Sequence, residues 1–412
     1  MSPPLRILIT TPTFISLGLW AMSHLANAQN ISTNIAGAVP LGLFGPSPAG
    51  PELTVGQRLG LDEGIKGGFL YNLSLRATYD SNFFLTENNT ESELITDLIP
   101  QIRYLTDPLG GAPALFSAGY QPVMRAYLDN SDLNRVDHTV DAAIRVEGTQ
   151  TVVSGYINYL EASGTDRLAG QFVRSSLLNY GVSAAYQIAP RTQLSASATV
   201  AHSDFEEASV VGADIYSFRL GANWRATERL SFGPSIRYML SESANIETRD
   251  SWAVFTQAQY QVRERVFLRA SLGLEYAETD GDDSFGLTGN LEADYAFREL
   301  WVWSSSIRYA TIPAPTEEGY VINNLGISTA LNRQLNGATA GLGVDLNFSS
   351  YERVGLTDTT VSDDTNFGVF ISYRRKLFSD RLDFDSRARY VINDGNADWS
   401  QLQLSVQLNM QF

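Results

Sequence analysis

Apolar and polar residues alternate one by one through most of the chain after about residue 68. Between Leu402 and Phe412 every even-numbered residue is large and apolar, and every odd-numbered residue is a serine or an amide. Side chains in a strand point alternately to opposite faces, so this stretch predicts a strand with one apolar and one uncharged polar face. The pattern returns, clearly at 178–188 and less clearly at 94–105, often enough to predict about 18 strands, with about 16 also open.

Short and longer connections alternate between these predicted strands. Short connections are predicted at 148–150, 189–191, 227–229, 263–265, 298–300 and 379–381, and longer ones include 80–93, 162–175 and 241–250. The stretch 106–113 does not fit, because it should be a short turn. An even number of alternating segments, with short turns at one end and longer loops at the other, is typical of bacterial outer-membrane barrels. The sequence therefore predicts an all-β protein: a transmembrane antiparallel up-and-down β-barrel with short periplasmic turns and longer extracellular loops.

The polar face of the predicted strands carries many charged residues. A soluble barrel fills its interior with apolar side chains, whereas a ring of about 16 to 18 strands leaves an aqueous channel. The apolar face must then contact lipid, and closure of the ring pairs every strand edge. We predict that the following residues line the pore: Arg76, Arg103, Arg125, Arg145, Arg219, Arg237, Arg269, Glu292, Asp294, Arg308, Asp345, Arg387 and Arg389. Because arginines outnumber acids in this set, a mild preference for anions is expected.

The N-terminal residues predict export from the cytoplasm. Arg6, an apolar stretch at 7–22 and the small residues Ala26-Asn27-Ala28 together predict a secretory signal peptide over 1–28. Residues 29–65 are rich in glycine and proline, which central strands do not tolerate, and predict an extended segment in the periplasm or the lumen. The barrel is expected over 66–412, in the cell outer membrane.

Catalytic, metal and nucleic-acid sites find little support in the sequence. The chain has no cysteine, which excludes disulfides and thiolate metal sites, and its net charge of −16 argues against nucleic acid as a partner. His202 stands beside Ser203 and Asp204, but adjacent residues of a strand point to opposite faces. His138 and His202 are therefore predicted to lie at the membrane–water boundary. We predict no catalytic residue, cofactor or metal, and no enzymatic activity.

Two stretches resemble features of bacterial outer-membrane proteins. The C-terminal strand is similar to the signal by which such barrels are recognised for insertion, and its recognition residues would be Leu404, Val406, Leu408, Met410 and Phe412. Tyr79-Asp-Ser-Asn-Phe-Phe84, at the end of the first strand, together with the architecture of 66–412, resembles the beta-barrel porin 2 family. The resemblance implies an outer-membrane pore and identifies no catalytic residue.

Three functions remain open at this point. The first is a porin-like channel for passive diffusion of small hydrophilic solutes; the second is a conduit that exports a polymer such as an exopolysaccharide. The third is a structural or adhesive surface barrel. The expected partners are outer-membrane lipids, lipopolysaccharide, the barrel-assembly machinery and small hydrophilic solutes. Residues 163–175 are long enough to fold inward, and the acidic predicted loops form either a solvated rim or sites for divalent ions that bridge to lipopolysaccharide.

Overall fold

The computed structural model describes residues 67–106, 114–166, 171–206, 212–243, 246–279, 282–298, 300–313, 320–353, 360–377, 381–395 and 398–412. The predicted signal peptide at 1–28, the segment 29–65 and most of the ill-fitting stretch 106–113 lie outside these residues.

The described chain forms 18 β-strands and a turn of 3-10 helix at Ser131–Leu133. The strands are β1 Gly68–Asp80, β2 Glu93–Leu105, β3 Ala114–Tyr127, β4 Arg135–Glu147, β5 Thr151–Asp166, β6 Gln171–Ala189, β7 Thr192–Phe205, β8 Ala213–Arg225, β9 Leu230–Ser243, β10 Ile246–Arg263, β11 Val266–Thr279, β12 Asp282–Arg298, β13 Trp301–Pro313, β14 Tyr320–Leu335, β15 Ala338–Arg353, β16 Thr360–Leu377, β17 Leu382–Asp394 and β18 Trp399–Gln411. The predicted number of strands is confirmed.

The strands close into one antiparallel barrel. Each strand pairs with the next along the chain, and β1 pairs with β18, so that Leu75 lies between Leu98 and Leu408. The backbone N–H of Phe412 continues this last pairing, because it donates to the carbonyl of Tyr71 over 2.9 Å. Closure pairs the edge strands, whose N–H and C=O groups would otherwise lack partners in hydrocarbon.

The outer surface of the barrel carries the apolar half of the alternation. Val182 is 61% exposed and Leu272 is 57% exposed, although each lies near the middle of its strand. Side chains that point inward, such as those of Arg76 and Asp97, are instead buried against the barrel wall. An apolar band of this kind is stable against lipid hydrocarbon, with the polar residues facing a lumen. Among the described residues, no helix is long and apolar enough to cross a membrane.

Aromatic residues mark the two ends of the apolar band. At the end where the short turns lie, outward aromatic side chains form one girdle: Tyr104, Tyr186, Trp224, Tyr260, Tyr295, Trp303 and Phe412. Outward tyrosines near the opposite end bond to carboxylates, as Tyr159 does to Glu161 over 2.6 Å. Tyrosine and tryptophan prefer the membrane interface because one end of the side chain is apolar and the other is polar.

Several connections differ from those predicted. The stretch 163–175, expected to be able to fold inward, is mostly strand, because β5 continues to Asp166 and β6 begins at Gln171. The predicted loop 241–250 is also short, since β9 ends at Ser243 and β10 begins at Ile246. β14 and β15 meet in a two-residue turn, Asn336-Gly337, in which Gly337 has a φ of +70°. Glycine is favoured at the second position of this turn because it adopts a positive φ without steric cost.

Candidate functional site

The inner face of the barrel contains all 13 predicted pore-lining residues. Each lies on the strand face opposite the exposed apolar side chains; Arg219, for example, stands between the outward Phe218 and Leu220. The partners of these arginines differ from one part of the inner face to another. We call the inner face of β1 to β4 the paired wall, and the inner face of β8 to β11 the arginine-rich wall.

In the paired wall three of the four predicted arginines, Arg76, Arg103 and Arg125, bind an aspartate. Arg76 donates to Asp97 over 2.9 and 2.5 Å, and Arg125 donates to the other oxygen of Asp97 over 2.9 Å. Arg125 also lies 3.3 Å from Asp137, which in turn lies 2.6 Å from Arg135. The charges alternate along this row of buried side chains. Their mutual neutralisation leaves little positive charge for a solute.

A second ion pair of the paired wall crosses over an intervening strand. Arg103 on β2 donates to Asp141 on β4 through both terminal nitrogens, over 2.9 and 2.7 Å. Gly119 of β3 lies directly between them in the strand register. A Cβ atom at Gly119 would lie only 2.9 Å from each partner, so the bridge needs a residue without a side chain at this position.

The arginine-rich wall is built around Phe255. Its ring lies over Gly273 of the neighbouring strand, where a Cβ atom would come within 2.5 Å of the ring. The guanidinium carbons of Arg219 and Arg237 lie 5.2 and 5.1 Å from the centre of this ring. Arginine is attracted to the negative face of an aromatic ring, so the phenylalanine holds two positive charges close together on the wall.

Glu275 is the carboxylate that approaches these arginines. It accepts a hydrogen bond from Arg237 over 2.8 Å and lies 3.6 Å from Arg249. Nε of Arg237, and Nε and Nη1 of Arg249, are buried and donate no hydrogen bond to the described protein atoms. Arg308 of β13 also lies on the inner face of the barrel. Positive charge therefore exceeds negative charge in this part of the wall.

The other predicted pore-lining residues form smaller contacts. Arg269 binds Glu292 over 2.6 Å and Asp294 over 3.1 Å, so three predicted residues come together there. Arg389 lies 3.4 Å from Asp345, and the guanidinium of Arg387 lies 4.5 Å from the ring centre of Phe370. At the end of β4, Arg145 binds its neighbour Glu147 over 2.7 Å.

The fold of the chain is similar to those of several solved structures. OccK2 (OpdF) of Pseudomonas aeruginosa superposes with a TM-score of 0.50 at 12% identity, covering 84% of this chain and 100% of that chain. OccK1 (OpdK) of the same species gives 0.49 at 13% identity, with 84% and 99% covered. OccAB3 of Acinetobacter baumannii gives 0.47 at 10%, with 84% and 99% covered. The chain has the fold of outer-membrane porins.

Similarity at this level of identity establishes the fold alone. No family model matches the sequence, and a comparison with curated proteins finds no match. The resemblance to the beta-barrel porin 2 family thus stays a prediction.

The sequence analysis missed two acids that neutralise predicted arginines of the paired wall. Asp97 and Asp137 bind Arg76 and Arg125 but were not placed on the polar face. Asp97 shares strand face with Arg103, so the alternation within β2 was the signal that could have found it. The expected excess of arginine over acid consequently does not hold on the paired wall.

The two histidines in the described part of the chain lie outside the lumen. His202 is exposed on the outer face, where it contacts Asp214, whereas Ser203 is buried on the inner face and bonds to Ala213. The two side chains therefore do not converge, as the alternation predicts. His138, also on the outer face, lies 3.0 Å from the hydroxyl of Tyr120. Among the described residues no group of three potential ligands is placed to hold a metal ion.

Proposed function

We propose that this protein is a channel for the passive diffusion of small hydrophilic solutes across the bacterial outer membrane. The observation that carries the proposal is the division of side chains in a closed ring of 18 strands: aliphatic residues outside, charged and amide residues inside. A ring of this size leaves a water-filled lumen, through which polar solutes pass without entering hydrocarbon.

The surroundings of the channel follow from the same surface. The apolar band contacts lipids of the outer membrane, and the loops at its outer end contact lipopolysaccharide. Leu404, Val406, Leu408, Met410 and Phe412 lie exposed on the outer face of β18, where the barrel-assembly machinery can bind them. We assign the chain to the beta-barrel porin 2 family on its Tyr79–Phe84 motif and its architecture, and assign it no enzymatic activity.

The channel has a mild preference for anions, which the arginine-rich wall supports. Arg219 and Arg237 are held together by Phe255, and Glu275 is the acid in contact with this cluster. The paired wall adds little to this preference, because each of its predicted arginines is paired with an aspartate or a glutamate.

Planar-bilayer recordings of the refolded barrel test both parts of the proposal. We expect discrete conductance steps, and reversal potentials on the anion side under a KCl gradient at low and at high salt. Protein unfolded by heat serves as the control for contaminating channels. A folded, heat-modifiable barrel that gives no conductance would overturn the channel itself. Cation selectivity at both salt concentrations would overturn only the preference for anions.

A further inference from the structure

The connection between β1 and β2 turns back into the barrel. Residues 81–92, here called the strap, leave β1 after Asp80 and return to β2 at Glu93. Three residues at the start of the strap are buried although they belong to a loop: Asn82, Phe83 and Leu85. Residues 87–92 are exposed.

A polar clamp fixes the first turn of the strap against β18. Asp80 accepts hydrogen bonds from the side-chain amides of Gln401 and Gln403, over 2.7 and 2.9 Å. The backbone N–H of Asn82 donates to the same carboxylate over 3.0 Å, and the Asn82 amide donates to the carbonyl of Ser400 over 3.1 Å. Asn82 also accepts the N–H of Thr86 over 3.0 Å, which closes the turn. This explains the burial of the aspartate and asparagine in the Tyr79–Phe84 motif.

Apolar contacts hold the strap from two sides of the lumen. Leu85 packs against Val391 of β17 and Trp399 of β18. The ring of Phe83 lies 5.3 Å from that of Tyr127 on β3 and 5.9 Å from that of Phe172 on β6. The hydroxyl of Thr165 on β5 donates to the carbonyl of Phe83. One loop therefore touches β17 and β18 on one side and β3, β5 and β6 on the other.

These contacts place the strap inside the outer mouth. Val391 and Trp399 are inward-pointing residues, as is Tyr127, and all three are nearly inaccessible because the strap lies against them. A loop that projected away from the barrel could not reach inward side chains on strands so far apart around the ring. The exposed residues 87–92 lie at the solvent side of this obstruction.

We propose that the strap is the constriction of the channel and sets the size limit for solutes. This inference rests on the proposed channel function, and it gives the Tyr79–Phe84 motif a role: the motif anchors the strap across the mouth. Solutes enter through the part of the mouth that the strap leaves open.

Shortening the strap is the direct test. The backbone N–H of Phe83 donates to the carbonyl of Glu91 over 2.8 Å, so replacing residues 84–90 by Asn-Gly can keep these two residues paired while it removes Leu85 and most of the exposed part of the strap. We expect single-channel conductance to rise by about twofold, as for an aqueous lumen that loses an obstruction across its mouth. Liposome swelling should extend to larger sugars. Unchanged conductance and an unchanged sugar limit in the shortened barrel would overturn the proposal.

A point variant with a matched control separates the strap from general destabilisation. Phe83→Ala with Leu85→Ala removes both apolar anchors. Phe285→Ala with Leu287→Ala removes the same residue types at the same spacing from the outer face, where they are 71% and 67% exposed. We expect the first pair to raise open-channel noise and mean conductance, and the second pair to change neither. Equal effects of the two pairs would count against a role specific to the strap.

A chemical probe tests the position of the strap in a barrel that is otherwise intact. The sequence contains no cysteine, so Glu87→Cys provides a unique thiol on the exposed part of the strap. A bulky thiol reagent added to an open channel should reduce its current in steps. The same reagent on Asp132→Cys, exposed on the adjacent 128–134 connection, should leave the current unchanged. Labelling of Glu87→Cys without loss of current would place the strap outside the solute path.

The two proposals fail in different ways. A folded wild-type barrel without conductance would overturn the channel function, and the strap would then have no solute path to restrict. Conductance that is normal in the wild type and identical in all the strap variants would overturn the constriction alone.

Discussion

The paired wall and the arginine-rich wall use the same residue type for different purposes. Arg76 and Arg125 share Asp97, so their positive charges are neutralised within the wall. Arg219 and Arg237 share an aromatic ring instead, and only the second of them contacts Glu275. A carboxylate cancels the charge of its arginine, whereas a phenylalanine orients the guanidinium and leaves its charge in place. One wall is therefore a structural brace, and the other is positioned to act on solutes.

The comparison shows that the number of arginines on the inner face does not predict the electric field that a solute meets in the lumen. Charges that are paired within a few ångströms cancel at the distance of a passing solute. The preference of the channel then depends on the small number of arginines that exceed the acids around them, as Arg219, Arg237 and Arg249 exceed Glu275.

The largest effect is expected in the brace. Asp97→Asn leaves Arg76 and Arg125 buried without their carboxylate, and breaking a buried pair in this way costs ~3–5 kcal/mol. Urea titration of the barrel in liposomes, followed by heat-modifiable migration, measures the loss. Glu147→Gln removes an ion pair at an exposed carboxylate, so its cost should stay below ~1 kcal/mol. Equal stability of the two variants would mean that the paired wall is not a brace.

A smaller effect is expected where the arginine-rich wall meets lipid. Leu272 points outward from β11, and Leu272→Arg should cost ~2–4 kcal/mol, as basic residues do at the midplane of a barrel. Its neighbour Ser271 points inward, so Ser271→Arg places the same charge in the lumen and should be tolerated. The measurement is the free energy of folding into lipid bilayers, for each variant and for the wild type. If Leu272→Arg were the milder change, the faces of β11 would be inverted.

The bridge over Gly119 should give a still smaller effect. Gly119→Ala forces the Arg103–Asp141 pair to move, and overpacking of this kind costs ~1–3 kcal/mol, here at the lower end because both contacts are side-chain ends. Gly286 also points inward from a strand, but a Cβ atom there meets nothing within 4 Å. Gly286→Ala should therefore be neutral or stabilise the barrel by ~0.4–1 kcal/mol. The midpoints of urea unfolding for the two alanine variants provide the measurement.

The smallest effect in energy concerns selectivity. Arg219→Gln removes one charge of the arginine-rich wall and should lower the chloride-to-potassium permeability ratio by about twofold, equal to ~0.4 kcal/mol. The double change Arg103→Gln with Asp141→Asn removes a neutral pair and should leave the ratio unchanged. Reversal potentials under a KCl gradient report both values. A shift in the double variant as large as that in Arg219→Gln would remove the distinction between the walls.

The barrel was predictable from the sequence because its determinants are local. Alternation assigns each side chain to a face from its neighbours alone, which is why Arg219 and Leu272 were placed correctly relative to the exposed surface. The Asn336-Gly337 turn was equally local and could have been recognised from its two residues. Strand number and side-chain direction needed no knowledge of distant contacts.

The strap and the wall pairings were not predictable in this way. Asp80 and Gln401 are 321 residues apart in sequence, and no period connects a loop residue with the strand that it binds. The sequence analysis instead considered residues 163–175 for an inward fold, because length was the available criterion. β5 continues to Asp166 and β6 begins at Gln171, and the two strands pair in the described part of that stretch, which satisfies its backbone hydrogen bonds.

The seam between β1 and β18 has a consequence for the order of folding. Every other pair of neighbouring strands is joined by a single connection, but Ser74 bonds to Asn409 across 335 residues. Bringing such distant segments together costs more chain entropy than closing a hairpin, and contacts of this separation slow folding. The seam should therefore be the last ladder to form. Asp80 accepts hydrogen bonds from Gln401 and Gln403 across this seam, so we expect its carboxylate to stabilise the last step of barrel closure.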